Sequence, residues 1–398
     1  MSADSPAPPP AVRLTKKASG LARRGQLWFF TDDIAEPAGS PGQLIRVRDD
    51  GGRDLGLAFL AAAKVALRLC GPWPGHDIPD RETFFAARLA AALQHRPELS
   101  VADAGVRLVH GEGDGLPGLI VDRYGPVLVL QVTSAAVENA LDAIVPFLVA
   151  RTGAESVVAR NDIPARRHEN LRPEVSLLHG RRIEETVISE HGVRHPIRPF
   201  DGHKTGFYLD QRPARALVRQ LASGRTVLDL FAYQGAFSLS ALAGGASAAL
   251  AVDESVPALD RARAAATANR LEGLSTESAN VFDFLRAERD RDARHGLIML
   301  DPPAFARSRR ELAGAERGYR DLNRLALRVL EPGGHLLTCS CSHHVSLPHF
   351  EDIVRQAAAG LPFRTVLLQR LGAGPDHPCQ ITHPQSEYLK VLLLQRRD

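Results

Sequence analysis

The chain has 398 residues, a length that admits two or three domains. It is 44% hydrophobic and 24% charged, ordinary composition with ample material for a large core. A net charge of +3 excludes a histone-like polycation and does not by itself declare a nucleic-acid partner.

Of the 49 cationic residues only Lys16, Lys17, Lys64, Lys204 and Lys390 are lysine. The rest are arginine, which forks onto phosphate and stacks on bases. A GC-rich genome accounts for the same bias. The first ten residues lack a basic segment followed by an apolar one, so no signal peptide is expected. No run reaches the ~18 apolar residues of a membrane span. Cys70, Cys339, Cys341 and Cys379 are too few for a disulfide framework in a chain this long. The expected setting is the cytoplasm, with no membrane partner.

Residues 1–11 read as a disordered, Pro/Ala/Ser-rich tail. Residues 12–75 read as short strands and turns. Leu27–Phe30 is apolar, and Gly42–Arg48 alternates before the turn-forming Asp49-Asp50-Gly51-Gly52. Leu55–Ala63 is the returning strand, which predicts a small β-barrel. Lys16, Lys17, Arg23 and Arg24 at its start are candidate phosphate contacts; a solvated surface is the plainer reading. Pro72-Trp73-Pro74-Gly75 is a predicted linker.

Residues 76–195 are expected to form a second, α+β domain. It contains a helix at Arg81–Gln94, strands at Val106–Val109, Leu119–Asp122 and Val127–Val132, and a helix at Val137–Arg151 with apolar 3-to-4 spacing. Residues 151–182 carry seven arginines against four acids and read as a solvated basic face.

From residue 196 to 398 strands alternate with helices, which predicts a doubly wound, mostly parallel sheet. The strands are Thr226–Phe231, Ala248–Asp253, Ser275–Ala279, Leu297–Asp301 and His335–Ser340. The intervening helices are Ala236–Ala243, Val256–Leu271, Val281–Arg289 and Leu312–Leu330. The tail adds a helix near His349–Ala359 and strands near Thr365–Arg370 and Tyr388–Gln395.

In such sheets the ligand lies beyond the carboxyl ends of the strands. The first strand ends in Asp229-Leu230-Phe231, and Ala232-Tyr233-Gln234-Gly235 leads into the helix. One glycine preceded by an aspartate does not suit a pyrophosphate, which wants G-x-G-x-x-G. It suits a ligand that carries an ammonium, such as S-adenosylmethionine. Asp229 and the backbone around Phe231, Tyr233 and Gly235 would hold its amino-acid end. Asp253, closing the second strand, would accept from ribose hydroxyls, and Asn280 would touch the adenine.

The fourth strand runs into Asp301-Pro302-Pro303-Ala304-Phe305 and the fifth into Cys339-Ser340-Cys341-Ser342. Neighbouring strands would bring Asp301 and a cysteine together beside the cofactor. That pairing suits methylation of carbon 5 of cytosine. A thiolate adding to carbon 6 makes carbon 5 nucleophilic, and Asp301 steadies the ring's charge. Strand alternation points Cys339 and Cys341 the same way; Cys341 lies nearer the edge, and Cys339 suits a core position. Two rivals exist. Cys339, Cys341, His343 and His344 as zinc ligands would have an unusual spacing, so no metal is expected. Asp-Pro-Pro followed by an aromatic also resembles the loop of amino-group methyltransferases, where Pro302, Pro303 and Phe305 would face the substrate.

Further motifs are Gly111–Gly118 with Asp122-Arg123-Tyr124-Gly125, His203–Arg212, Gly318-Tyr319-Arg320-Asp321, Ser340-Cys341-Ser342 and Asp376-His377-Pro378. With these, the chain after its tail resembles the large-subunit ribosomal RNA methyltransferase I family, which makes 5-methylcytosine in 23S rRNA. The resemblance implies an N-terminal PUA domain, a central α+β domain and a C-terminal Rossmann-like methyltransferase. It implies Cys341 as nucleophile. Within His203–Arg212, Gln211 and Arg212 are expected near the cofactor, and Lys204 near phosphate. The implied partner is large-subunit rRNA or an assembling ribosomal particle, and a homodimer is compatible. Three departures stand out: Ala304 where lysine is frequent, Asn280 where an acid is frequent, and the extra Cys339. A ribosome-assembly protein without turnover is the non-enzymatic alternative; the intact Asp229, Asp253, Asp301 and Cys341 speak against it.

Overall fold

The computed structural model describes residues 11–75, 77–96, 104–306, 309–383 and 386–398. The predicted tail lies outside them, except that Ala11 already belongs to a strand. The chain divides into two compact units. The first contains the residues up to Ile188 with Pro196–Leu209 and Pro375–Ser386; the second contains Ser189–His195, Asp210–Gly374 and Glu387–Asp398.

The first unit opens with β1 (Ala11–Leu14), α1 (Lys16–Ala22), β2 (Trp28–Phe30), β3 (Ile34–Glu36), β4 (Leu44–Arg48), β5 (Asp54–Leu60) and β6 (Val65–Gly71). The strands form one sheet in the order β2-β6-β5-β4-β1-β3, antiparallel except where β1 meets β4. Val12, Phe29, Ile34, Ile45, Ala58 and Leu67 represent all six strands in a single core cluster. The sheet therefore curls around its own interior, as the predicted barrel requires. The short helix α1 was not expected. Thr15 starts it by accepting the Ala18 amide on its side chain. Lys16 and Lys17 thus stand exposed on its first turn.

The unit continues with α2 (Arg81–Gln94), β7 (Gly105–His110), β8 (Leu119–Tyr124), β9 (Val127–Val132), α3 (Ala135–Glu138), α4 (Leu141–Thr152), β10 (Ser156–Arg160) and β11 (Val175–Gly180). A five-stranded sheet runs β11-β10-β9-β8-β7, with β9 and β10 parallel. The helix predicted over Val137–Arg151 is broken in two. Ala140 leaves helical geometry (φ −113°, ψ 7°), and the freed Asn139 carbonyl accepts from the Arg81 guanidinium. In the predicted linker, Trp73 is packed on Phe84 at 5.4 Å. The basic stretch 151–182 is not simply a solvated face. Arg160 and Arg166 are buried, the first paired with Asp162 and the second with Glu138. A hairpin absent from the sequence reading follows, β12 (Thr186–Glu190) and β13 (Val193–Ile197). Its two-residue turn, His191-Gly192, has positive φ at both positions.

The second unit is built on α5 (Arg212–Leu221), β14 (Thr226–Leu230), α6 (Ala236–Ala243), β15 (Ala248–Asp253), α7 (Val256–Ala268), β16 (Leu274–Ser278), α8 (Val281–Asp290), β17 (His295–Leu300), α9 (Leu312–Arg328), β18 (Leu330–Ser340), α10 (Leu347–Ala358), β19 (Arg364–Leu371) and β20 (Lys390–Arg397). The sheet order is β16-β15-β14-β17-β18-β20-β19. Strands β14 to β18 are parallel, and β20 enters antiparallel to both neighbours. This is the predicted doubly wound sheet. Along the central strands β14, β17 and β18 both faces are buried. Leu228, Leu230, Ile298, Leu300 and Leu336 fill one side; Val227, Leu297, Met299, Leu337 and Cys339 fill the other.

Helix α5 is fastened by an ion pair. The buried Arg215 guanidinium donates to both oxygens of Glu190 at 2.6 and 2.8 Å. Burial opposes the Glu190 charge, yet Arg215 and Arg212 together hold its carboxyl down at about 2. The stabilisation is thus present above the ordinary carboxylate range and lost as pH falls toward 2. Replacing Arg215 by leucine leaves the buried carboxylate only the longer Arg212 contact, at 3.5 Å. We expect Arg215→Leu to cost about 3–5 kcal/mol, seen as a lower midpoint in urea unfolding at neutral pH.

Candidate active site

Because both sheet faces are apolar, polar chemistry is confined to the strand ends. Asp229 is the penultimate residue of β14 and is 1% exposed. Its Oδ2 accepts from the Ser238 amide at 3.0 Å and from the Ser238 hydroxyl at 2.8 Å. Burial pushes the carboxyl up to about 7, against those hydrogen bonds, and the Asp301 and Asp253 charges push the same way. Two carboxylates therefore act on a third here. An incoming cation would relieve them.

The loop after β14 is bent hard. Phe231 and Tyr233 have φ of 61° and 50°, and Gly235 has 68°. Side chains rarely adopt this region, and each such residue costs about 1–3 kcal/mol. The Ala232 amide donates to Val252 at 3.1 Å, and the Tyr233 amide to Asp253 Oδ2 at 2.9 Å. These bonds hold the loop to the end of β15. Gly235 cannot be replaced freely: a Cβ there would come within 2.9 Å of the Ala262 methyl on α7. Asp253 also accepts the Ser255 amide on Oδ1 at 2.8 Å, so its carboxylate is oriented before any ligand arrives.

Asn280 caps α8, its Oδ1 accepting from Phe282 and Asp283, while its Nδ2 donates to Glu254 at 2.8 Å. The amide is thus already engaged in the cap. Gln211 is buried and donates to Asp301 Oδ2 at 2.9 Å. Its Oε1 is buried and has no hydrogen-bond partner among the described residues, an acceptor of the kind an ammonium satisfies. Arg212 lies 3.5 Å from Glu190 and is 16% exposed along its side chain.

Strands β17 and β18 are parallel neighbours, as expected, with Leu300 opposite Thr338. Asp301 follows the first strand, and its charge acts on Cys339 in the second. Pro302 is buried, Pro303 exposed, and Ala304 half-buried. The Phe305 ring packs 4.8 Å from Tyr319 and lines a cleft of about 550 Å³ with Phe282, Arg310, Arg317 and Gly318. Cys339 is wholly buried in the core, and burial raises its thiol well above the usual range. Cys341, just past the strand, is half-buried.

The two serines that flank Cys341 have a partner the sequence reading missed. The Tyr319 hydroxyl accepts from Ser340 at 3.1 Å and bonds Ser342 Oγ at 2.9 Å. Both serines are fully buried. Alternation was the available signal: if a cysteine faces one way, its neighbours face the other and need partners there. Ser238 was missed as well; a hydroxyl in the first turn after Gly235 was its mark.

The remaining candidates belong to the first unit. Lys204 is exposed, its ammonium 4.6 Å over the Tyr208 ring. Arg23 pairs with Asp49 at 2.7 Å and lies 3.6 Å from Asp50, and Arg24 is exposed. Among the described residues no group of three or more His, Cys, Asp or Glu is arranged to hold a metal, and no helix is long and apolar enough to cross a membrane.

Two family models match the chain: S-adenosylmethionine-dependent methyltransferase over residues 106–394 and PUA-like domain over 12–70. Ribosomal RNA large subunit methyltransferase I of Photobacterium profundum is 38% identical over 96% of this chain and 98% of its own. The protein of that name from Vibrio campbellii is 35% identical over the same shares. The chain belongs to the ribosomal RNA large subunit methyltransferase I family.

The fold agrees. A solved Streptococcus mutans protein described as an S-adenosylmethionine-dependent methyltransferase superposes with a TM-score of 0.82 at 23% identity, over 97% of this chain and 99% of that one. A methyltransferase solved with S-adenosylhomocysteine superposes at 0.84, with the same identity and coverage. This member of the family is accordingly an S-adenosylmethionine-dependent methyltransferase with an N-terminal PUA-like domain. The carboxylate cluster and the orphaned Gln211 acceptor fit a cofactor that bears an ammonium and a sulfonium.

Cation binding should pull Asp229 toward its ionised form. A cofactor ammonium seated at Asp229 would displace a proton below about pH 7, and its affinity should fall as pH drops from 8 to 6. Calorimetry in two buffers of different ionisation heat measures that release. Asp229→Asn should abolish it and weaken binding by about 2 kcal/mol, roughly thirtyfold.

Proposed function

We propose that this enzyme methylates carbon 5 of a cytosine in large-subunit rRNA through a transient covalent bond to Cys341. The reading is supported by the names of the relatives and by one local arrangement. A half-buried cysteine stands at the end of β18, between two serines gripped by Tyr319, beside the strand that carries Asp301-Pro302-Pro303.

S-adenosylmethionine, when bound, supplies an electrophilic methyl group. Asp229, Gln211 and the backbone from Phe231 to Gly235 would hold its amino-acid end; Asp253 would take the ribose and Asn280 the adenine, with Arg212 nearby. The Cys341 thiolate forms a bond to carbon 6 of the cytosine. The ring electrons gather at carbon 5, which then takes the methyl. Asp301 hydrogen-bonds the ring nitrogen or amine and balances charge during the addition. Loss of the carbon-5 proton to a base restores the double bond and expels the thiolate.

The target base must leave its stack to reach such a site. Pro302, Pro303 and Phe305 are the proposed surface for it. In this reading the chain works as three parts, at 12–75, 76–195 and 196–398. The PUA-like domain, through Lys16, Arg23 and Arg24, and Lys204 would grip flanking RNA by phosphate and shape. The setting that goes with this substrate is the cytoplasm.

Labelled methyl transfer to rRNA, followed by nucleoside analysis, tests the reading. Label should appear in 5-methylcytosine, disappear in Cys341→Ala and persist in Cys339→Ala. Full activity in Cys341→Ala sinks the covalent mechanism. Label on an amino nitrogen promotes the amino-group reading of Asp301-Pro302-Pro303.

The cleft beside Phe305 bears on how RNA is held. Arg310 and Arg317 line it and are exposed. Charge reversal, Arg310→Glu with Arg317→Glu, should weaken rRNA binding and reduce its salt slope by about 0.7 per lost phosphate contact. Cofactor affinity should stay unchanged in the same protein.

A further inference from the structure

Lys390 opens β20, directly opposite Ser340 in the antiparallel ladder with β18. It is 2% exposed. The residues after it, Val391 to Leu394, are all apolar and buried. A buried ammonium in such a strand is expensive and calls for a reason. It is held by main-chain oxygens: Nζ donates to Ser342 O and to Tyr388 O, each at 2.7 Å. No ion-pair partner holds it among the described residues. The Ser342 carbonyl closes the residue after Cys341, so the ammonium is fastened to the loop that carries the thiol. From the other side, Tyr319 grips Ser340 and Ser342 through their hydroxyls.

We propose that Lys390 is the positioning residue of the nucleophile: its ammonium anchors the loop that carries Cys341 and supplies the positive charge that favours the thiolate. The role in catalysis rests on the reading of Cys341 as nucleophile; the effect on the thiol does not. A cysteine beside a lysine ionises more readily, and methylation needs the thiolate rather than the thiol.

The charged and titratable groups around the thiol bear this out. Tyr319 and Cys339 feel the Cys341 charge as repulsion, and burial already disfavours their ionised forms. Asp301 acts on Cys339, and Glu387 acts on Lys390. His343 lies against the Tyr388 ring at 5.6 Å, and the Tyr388 hydroxyl donates to Asp210. Among these, His343 brings positive charge only when protonated, and Lys390 is the ammonium fastened to the loop of Cys341. Burial lowers its own ionisation to about 8, and the Cys341 and Glu387 charges work against that fall. The ammonium therefore persists at pH 7 and is lost above about 8.

The test is the pH dependence of alkylation by iodoacetamide, read by mass spectrometry on the Cys341 peptide of the full chain. The exposed Cys379 is the internal reference. In the unmodified protein Cys341 should react with a midpoint below that of Cys379. Lys390→Met should raise the Cys341 midpoint and slow its alkylation at pH 7 by about tenfold relative to Cys379. Lys390→Arg, which keeps the charge, should restore most of the rate. Equal midpoints for Cys341 and Cys379 in the unmodified protein overturn the proposal, whether or not the variants fold. So does a folded Lys390→Met with an unshifted midpoint. Methyl transfer by Cys341→Ala separates the two readings. Retained transfer removes the nucleophile itself, whereas lost transfer with an unshifted midpoint removes Lys390's part alone.

Discussion

The central strands β14, β17 and β18 are buried on both faces, and this decides where polar groups can stand. Leu228 and Leu230 face one apolar cluster and Val227 the other, and the same alternation runs through β17 and β18. A charged side chain inside these strands would meet hydrocarbon on either side. The polar residues that matter accordingly gather at the carboxyl ends, where the ladder stops and helices begin. Asp229, Asp253, Asp301 and Cys341 all occupy such positions. The parallel register then does the rest, since neighbouring strands end at nearly the same height.

That crowding has an electrostatic consequence. Asp229, nearly out of water and acted on by two other carboxylates, has its carboxyl pushed up to about 7. Left alone it is a strained acid; beside a cation it becomes a binding group. The backbone joins in. Two aromatic residues hold left-handed conformations just after β14, fastened by amides that donate to Val252 and Asp253. The structure holds unfavourable charge and unfavourable torsion in one short segment, and the packing of α6 and α7 against the sheet keeps them there. Opposite, the Tyr319 hydroxyl and the Lys390 ammonium fix the loop of Cys341 with bonds to side chains and backbone alike.

Much of this was legible before any coordinates. The alternation of strands and helices after residue 196, the single glycine after Asp229 and the acids closing successive strands are local patterns with a local cause, apolar periodicity and turn chemistry. Helices such as Arg81–Gln94 and Ala236–Ala243 end where predicted, because their caps lie in the adjoining residues. The failures are of another kind. The hairpin Thr186–Ile197 and helix α1 are short, and short elements carry little periodic signal. The helix over Val137–Arg151 breaks at Ala140, and the freed Asn139 carbonyl bonds the distant Arg81 guanidinium. Arg160 and Arg166 read as solvated charge, yet both are buried, paired with Asp162 and Glu138 and bonded to distant main-chain carbonyls.

The sequence by itself determined the class of fold, the kind of cofactor and the two strand ends at which chemistry is expected. Each follows from neighbours along the chain, so spacing suffices. Position along the strand already favoured Cys341 over Cys339; only the tertiary structure decided how closed each is, and that Tyr319 and Lys390 hold the second. Those contacts join residues far apart in sequence. Ser340 meets Tyr319 of helix α9, and Lys390 meets Ser342 across an antiparallel strand pair. No local pattern encodes a pairing of that sort, because burial and register between distant strands set it.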